Sequence, residues 1–317
     1  LPKAPGVLGA EILFGWTAML TLLWIPTTLI AAAAQTARNA TQAGLIKTIG
    51  TIGATQVRFL YGFPFALLFL ALVAGFSGEA VPRPDGDFLL FTLAGAISQI
   101  AATALMLAAM KDRSFSVTTA YVKTEPLLIA LAGLILLGDN PSPLGWTAIA
   151  LATGGVVLTA LKPGAPITSA GLKPVGLGLA AAASFALSAV CFRGAIMGLD
   201  SGFFVIRATT TLAWSLGMQT GLLLIWMVLF DRPALVGSFK AWRQSIPAGF
   251  LGAFASQFWF IGFSLTSAAN VRTLALVEVF MAMFVSRRIF DQSISQREVM
   301  GMLLIVLGVA LLLWSHS

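Results

Sequence analysis

Two carboxylates, Glu125 and Glu278, fall deep inside long apolar stretches, and no other Asp or Glu does. An acid at bilayer mid-depth is costly and is usually retained to bind or move something. The two occupy matching places in the two halves of the chain, 153 residues apart. Lys123 lies near Glu125, about eight residues or ~12 Å into the same stretch at about 1.5 Å per residue. That is too deep for its ammonium to reach water along the stem. Residues two apart point to nearly opposite sides of a helix, so Lys123 cannot face Glu125. Its partner is expected on another helix, and Glu278 is the other mid-span acid. Such a pair is either a charge lock that a solute or proton opens, or a static structural contact.

The residues around these acids suggest a binding surface. Ser114, Thr118, Tyr121 and Glu125 are spaced by four, three and four and so form one polar stripe of a helix. In the second half Ser267, Val271, Leu274 and Glu278 form the corresponding, mostly apolar stripe. One half offers hydrogen-bond partners and the other greasy contact, as an amphipathic solute requires; plain helix packing accounts for the same stripe. Pro126 has no N–H, so the carbonyl of Val122 loses its helical partner beside the buried acid. A free carbonyl and a bend there could shape a site, as broken helices do in transporters. Gln99, Thr103, Ser184, Ser188, Thr209, Gln219, Ser256 and Gln257 are further polar groups inside apolar stretches, most of them suited to packing. Trp24, Trp214 and Trp259 fall mid-span and could line a pocket for aromatic or cationic solutes. Trp146, Trp242 and Trp314 sit near span ends, where interfacial belts form.

The elements that must position these groups follow from composition. Of 317 residues, 58% are hydrophobic and only 10% charged, with mean hydropathy +0.93. A soluble domain carries about a quarter charged residues. Helices are predicted near 12–34, 51–74, 88–110, 115–137, 143–161, 174–197, 203–230, 244–266, 268–290 and 298–315, each long enough to cross about 30 Å of hydrocarbon. Such blocks are not the alternating ten-residue strands of a barrel. The expected fold is therefore an all-α polytopic membrane protein with ten transmembrane helices.

Breaks rich in Gly and Pro, such as Gly78–Asp87 and Asp139–Pro143, separate the spans. The break at 163–175 is the best boundary between halves, giving one five-helix unit at 1–162 and another at 176–317. A shift of 153 superposes Ser114 on Ser267, Glu125 on Glu278, Ser142 on Ser295, and Gly155-Val156 on Gly308-Val309. Few positions match otherwise, so identity alone does not establish a repeat. Loop charge argues more strongly. Arg38, Lys47 and Arg58, then Lys111 and Arg113, follow spans 1 and 3. In the second half Arg193 and Arg207 follow span 6, Arg272 lies near the break after span 8, and Arg287, Arg288 and Arg297 follow span 9. The break after span 4, the counterpart of that after span 9, has no basic residue. Basic residues thus favour the first and third breaks of the first half but the second and fourth of the second, as an inverted repeat with an odd number of spans demands. By the same count the odd loops are cytoplasmic and both termini lie outside.

The run from Ser114 through Glu125-Pro126 to Gly138-Asp139 resembles the fourth-span signature of the drug/metabolite transporter superfamily, and specifically its ten-span EamA-type family. Trp146 to Leu161, ending in Gly154-Gly155-Val156-Val157-Leu158, resembles that family's fifth span. Ser264 to Ala269, and Glu278 through Gly308-Val309-Ala310, look like the repeat of this unit; Arg58-Phe59 is similar to the family's Arg-Phe step. The chain departs from the pattern in having Glu278-Val279 in place of Glu-Pro, Asp139 in place of Glu, and an unlike first span. The resemblance implies a secondary transporter of the bacterial inner (plasma) membrane, with both termini cytoplasmic, against the charge count. It favours export of metabolites such as amino acids, with multidrug efflux as the alternative.

Other classes are argued down by what the chain holds. Its net charge of +7 and pI near 10.1 belong with basic membrane loops rather than nucleic acid. The single cysteine, Cys191, excludes an internal disulfide. The sole histidine, His316, lies at the C-terminus, and no catalytic or metal-ligand spacing appears, so neither an enzyme nor a cofactor is expected. No Walker-type loop is present. If transport is coupled, the ion expected is a proton taken up by a buried carboxylate. The expected partners are a small-molecule solute, protons and membrane lipid; a passive channel is the rival mechanism. The first apolar stretch lacks a cleavage-type signal pattern, and a start at Leu1 suggests that part of a native N-terminus is missing.

Overall fold

The structure, a computed structural model, describes residues 22–112, 121–160, 169–279 and 296–315. Among them eleven α-helices and one 3-10 turn are found, and no strand. They are α1 (Trp24–Leu60), α2 (Phe63–Ser77), α3 (Gly86–Asp112), α4 (Glu125–Leu137), α5 (Pro143–Ala160) and α6 (Ser169–Gly198). After these come α7 (Phe204–Phe230), α8 (Arg232–Lys240), α9 (Trp242–Leu265), α10 (Ala268–Leu274), the turn Ala275–Val277, and α11 (Gln296–Trp314). Five described segments are long and apolar enough to cross a membrane, and four shorter helices are also apolar. The chain is an integral membrane protein built from helices.

The first predicted span needs correction. It was expected to end at residue 34 in a basic loop, but α1 continues to Leu60, bent only at Gly50, whose φ of 71° is open to glycine. No Gly or Pro interrupts the chain between Pro26 and Gly44, and the Ala-rich run propagates the helix. Polar groups on it find internal partners: the Gln42 amide, for instance, donates to the Ala54 carbonyl at 2.8 Å. Span 2 is split by a turn at Tyr61-Gly62, where Gly62 lies against the backbone of Gly249 in α9. The short, polar α8 was not foreseen. Asp231 caps it by accepting from the Ala234 N–H at 3.1 Å, with Pro233 in its first turn.

Helix packing follows a pattern set by the 153-residue offset. The helix α1 packs on α9 and α6 packs on α3, so the opening helix of each half lies against a later helix of the other. The helices α5 and α11, which the same offset relates, pack on each other. At their crossing a Cβ on Gly155 would lie 2.5 Å from the Gly301 carbonyl oxygen, and one on Gly308 would lie 2.7 Å from that of Ala148. Gly155 and Gly308 correspond, as do Ala148 and Gly301. Small residues thus let the two backbones touch symmetrically. The fold is two interleaved units rather than two bundles side by side.

The charge-inversion argument does not survive intact. Arg38, Arg58 and Arg272 were counted with the loops, yet all three are buried within helices. Arg193 likewise lies inside α6. The loop-charge orientation therefore rests partly on residues that never face the membrane surface.

Candidate functional site

Both helices that carry the mid-span acids depart from regular α-helix immediately before them, the first by a turn and the second by a 3-10 segment. In the first half the chain is helical at Tyr121-Val122, turns at Lys123-Thr124, and restarts as α4 at Glu125, with Pro126 in the first turn. Proline there costs nothing, because a first-turn N–H has no intrahelical partner. Pro126 thus stands in the first turn of a restarted helix, beside the turn at Lys123-Thr124. In the second half α10 tightens into the 3-10 turn at Ala275–Val277, directly before Glu278. Mid-helix 3-10 segments often mark hinges. The two breaks correspond under the 153-residue offset.

At these breaks the halves exchange charges. Lys123 is ion-paired with Glu278, and Arg272 Nη1 lies 3.0 Å from Glu125 Oε1. Each half thus gives one cation and one carboxylate to the other, and all four side chains are buried. The Lys123–Glu278 contact is the one that helix geometry required. The Arg272 partner of Glu125 was missed, because Arg272 was assigned to a break. Its distance of six residues from Glu278 inside an apolar run was the available signal. Thr36 adds a long hydrogen bond, donating from Oγ1 to Glu278 at 3.4 Å.

Trp259 packs against the Arg272 side of this pair. The Arg272 guanidinium lies 4.1 Å from the Trp259 ring centroid and 5.8 Å from that of Phe263, and the two rings stack. The Trp259 indole N–H donates to Gln35 at 3.0 Å. Its face is therefore occupied by the protein's own cation, leaving no aromatic platform for a foreign one.

A cavity of about 10 Å³ sits at the junction, about enough for one water molecule. Lys123, Glu125, Arg272, Arg38, Gln35 and Asn39 supply its polar wall, and Met106, Val122 and Phe185 the apolar one. A second, larger cavity of about 240 Å³ opens around Asp139–Ser142 and Ser267–Asn270. Ile129 and Ala130, one turn along α4 from Glu125, form part of its floor. Beside it Arg193 ties the halves together. Its Nε lies 2.8 Å from Asp139 Oδ2, and its Nη1 donates to the Phe263 and Thr266 carbonyls at 2.5 and 2.6 Å.

The remaining candidates fall elsewhere. Gln99 accepts from Gln219 at 2.9 Å, joining α3 to α7, and Gln257 donates to Thr209 at 2.7 Å, joining α9 to α7. Both bonds run between helices, outside the walls of the two cavities, and the Gln257 side-chain oxygen is left without a partner among the described residues. Trp214 lies on the outward face of α7, 40% exposed and edge-on to Phe88, because α7 turns its Thr and Gln side inward. Tyr121 is half-buried with its Cβ against Gly178 and does not line the cavity. Thr118 and Ser114 lie outside the described residues. No group of three or more potential metal ligands is found among the described residues.

Comparison with known proteins accords with this architecture. The sequence profile described as the EamA-like transporter family matches twice, over residues 19–161 and 172–314, at the same 153-residue offset. No curated protein matches the chain. A solved structure described as "Crystal structure of protein" superposes with a TM-score of 0.64 at 17% identity, covering 92% of this chain and 95% of its own; it is similar in fold.

Proposed function

We propose that this chain, which belongs to the EamA-like transporter family, is a secondary transporter that moves a small organic solute, an amino acid or related metabolite, by alternating access. Export across the bacterial inner membrane is the direction we favour, with a proton as the coupling ion. The halves 1–162 and 176–317, joined at 163–175, act as inverted five-helix repeats that supply ten spans and rock about the junction of the broken helices. Lipid surrounds the bundle, the solute is its cargo, and catalysis has no part in the cycle.

The observation that carries this reading is the reciprocal ion pairing at the helix breaks. Breaking a buried pair by removing one partner costs about 3–5 kcal/mol, because the other charge is left uncompensated. A solute bearing both signs of charge can replace that pairing in one step. Its carboxylate would take the cations Lys123 and Arg272 and its ammonium the acids Glu125 and Glu278. The lock then opens when cargo is present and stays shut otherwise, which is how a carrier avoids being a leak. A proton on Glu125 or Glu278 would loosen one pair in the same way and would link transport to a pH gradient.

Vesicles reconstituted with the protein test the reading. Labelled solute should exchange saturably and speed up when unlabelled solute is placed on the far side. A flux that rises without saturation, accompanied by conductance, would mean a passive channel.

A further inference from the structure

We infer that the solute is an organic acid carrying net negative charge, and that Arg38 is the residue on which its carboxylate docks; this deepens the transporter reading above and rests on it. Four cations, Arg38, Arg58, Lys123 and Arg272, are buried among the described residues, against two carboxylates, Glu125 and Glu278. The acids are consumed by Lys123 and Arg272. Arg38 and Arg58 have no ionic partner there.

Arg38 is the better placed of the two, because it lines the small cavity. It is 1% exposed, lines the small cavity, and gives Nε and Nη2 to one neutral acceptor, the side-chain oxygen of Asn39, at 3.1 and 2.5 Å. Its Nη1 has no hydrogen-bond partner. Arg58 donates to Thr103 Oγ1 at 2.9 Å, lies over the Phe59 ring and leaves its Nε without a partner among the described residues, but it does not line that cavity. Both arginine stems lie near Gly252: a Cβ there would meet Arg58 Cγ at 3.1 Å and Arg38 Cδ at 3.5 Å. Two like charges held together in a low-dielectric interior, with open donors, are strongly unfavourable unless an anion completes them. A guanidinium is also the group that best matches a carboxylate, through paired hydrogen bonds.

The neighbours narrow the class. Met106, Val122 and Phe185 flank the same polar groups, so a carbon skeleton would meet apolar contact there once the junction opens beyond its present one-water volume. A cationic drug finds no free acid there, and the Trp259 face is covered by Arg272. The excess charge therefore favours an acidic amino acid or a dicarboxylate over a basic or neutral solute.

The test uses the full chain in lipid nanodiscs, with thermal unfolding followed against glutarate, glutamate, glutaramide, tetraethylammonium and inorganic phosphate at equal ionic strength. A ligand that binds only the folded state raises the melting temperature. Glutarate or glutamate is expected to raise it, and the uncharged diamide and the cation are not. Arg38→Gln is expected to weaken the responding acid by about tenfold or more, which is about 1.4 kcal/mol; it should also melt higher than the parent without ligand. Arg38→Lys should keep part of the response. No shift with either acid, an equal shift with the diamide, or an undiminished shift in Arg38→Gln would overturn the inference. An equal response to phosphate would mean an adventitious ion only and overturn it as well. If Arg38→Gln does not fold, the comparison of acid with diamide on the parent protein decides alone. Counterflow separates the two claims. Exchange of cations or neutral solutes without acid binding would leave the carrier standing and remove the anion site. Acid binding without exchange would do the reverse.

Discussion

The two carboxylates are not held in the same way, and single substitutions should separate them. Glu125 faces a guanidinium that is itself braced on Trp259 and Phe263, whereas Glu278 meets the ammonium at the end of the flexible Lys123 side chain. Glu125→Gln keeps the shape and removes the charge. It is expected to abolish or uncouple solute exchange in vesicles while the protein still elutes as a folded species in size-exclusion chromatography; full exchange would remove Glu125 from the mechanism. Lys123→Ala leaves Glu278 unpaired, at a cost of about 3–5 kcal/mol. Lys123→Ala with Glu278→Gln should recover much of that loss in a thermal unfolding series, and strictly additive losses would argue against coupling. The Lys123–Glu278 pair was legible in the sequence because helix geometry turns Lys123 away from Glu125 and only one other deep acid remained. Arg38 and Arg272 were not legible as buried. Near presumed loop boundaries an arginine looks like a surface charge, and burial is decided by tertiary neighbours such as Gly252 and Trp259, distant in the chain.

Helix ends set by backbone chemistry were legible, and those set by packing were not. Gly138 ends α4 in the left-handed conformation, with the Asp139 N–H returning to the Gly133 carbonyl at 3.1 Å, as a Gly-Asp turn after a leucine run predicts. The long α1 was misjudged because its polar residues lie inside the protein and not in a loop. The α5/α11 crossing gives a test at this scale. Gly155→Ala and Gly308→Ala each place a methyl group within 2.5–2.7 Å of a carbonyl oxygen, so both should lower the melting temperature by similar amounts. Gly154 has nothing within 4 Å, and Gly154→Ala should be neutral or stabilising by up to about 1 kcal/mol, the helix-propensity gain. If Gly155→Ala is as harmless as Gly154→Ala, the close crossing is absent. The Arg193 tie makes a second. Arg193→Gln frees Asp139 and two carbonyls beside the larger cavity. It should speed exchange while weakening its dependence on far-side solute; unchanged kinetics would show that the tie does not gate that cavity.

At the scale of the whole molecule, the matching offset ties the parts together. The family profile, the glycine crossing, the departures from α-helix before the acids and the two acids themselves repeat at 153 residues, whereas their cations Lys123 and Arg272 do not correspond. Interleaving means that neither half can open its side of the junction without moving helices that the other half packs against. Side-specific labelling reports that coupling. A cysteine at Met106, in the wall of the small cavity, on a Cys191→Ser background, can be probed with a membrane-impermeant thiol reagent from each face of a reconstituted vesicle. The account expects slow labelling from either face without solute, and labelling that shifts from one face to the other as an exchanged acid is moved across the membrane. Reaction from one face under every condition, or from both faces at once together with solute leak, would contradict it.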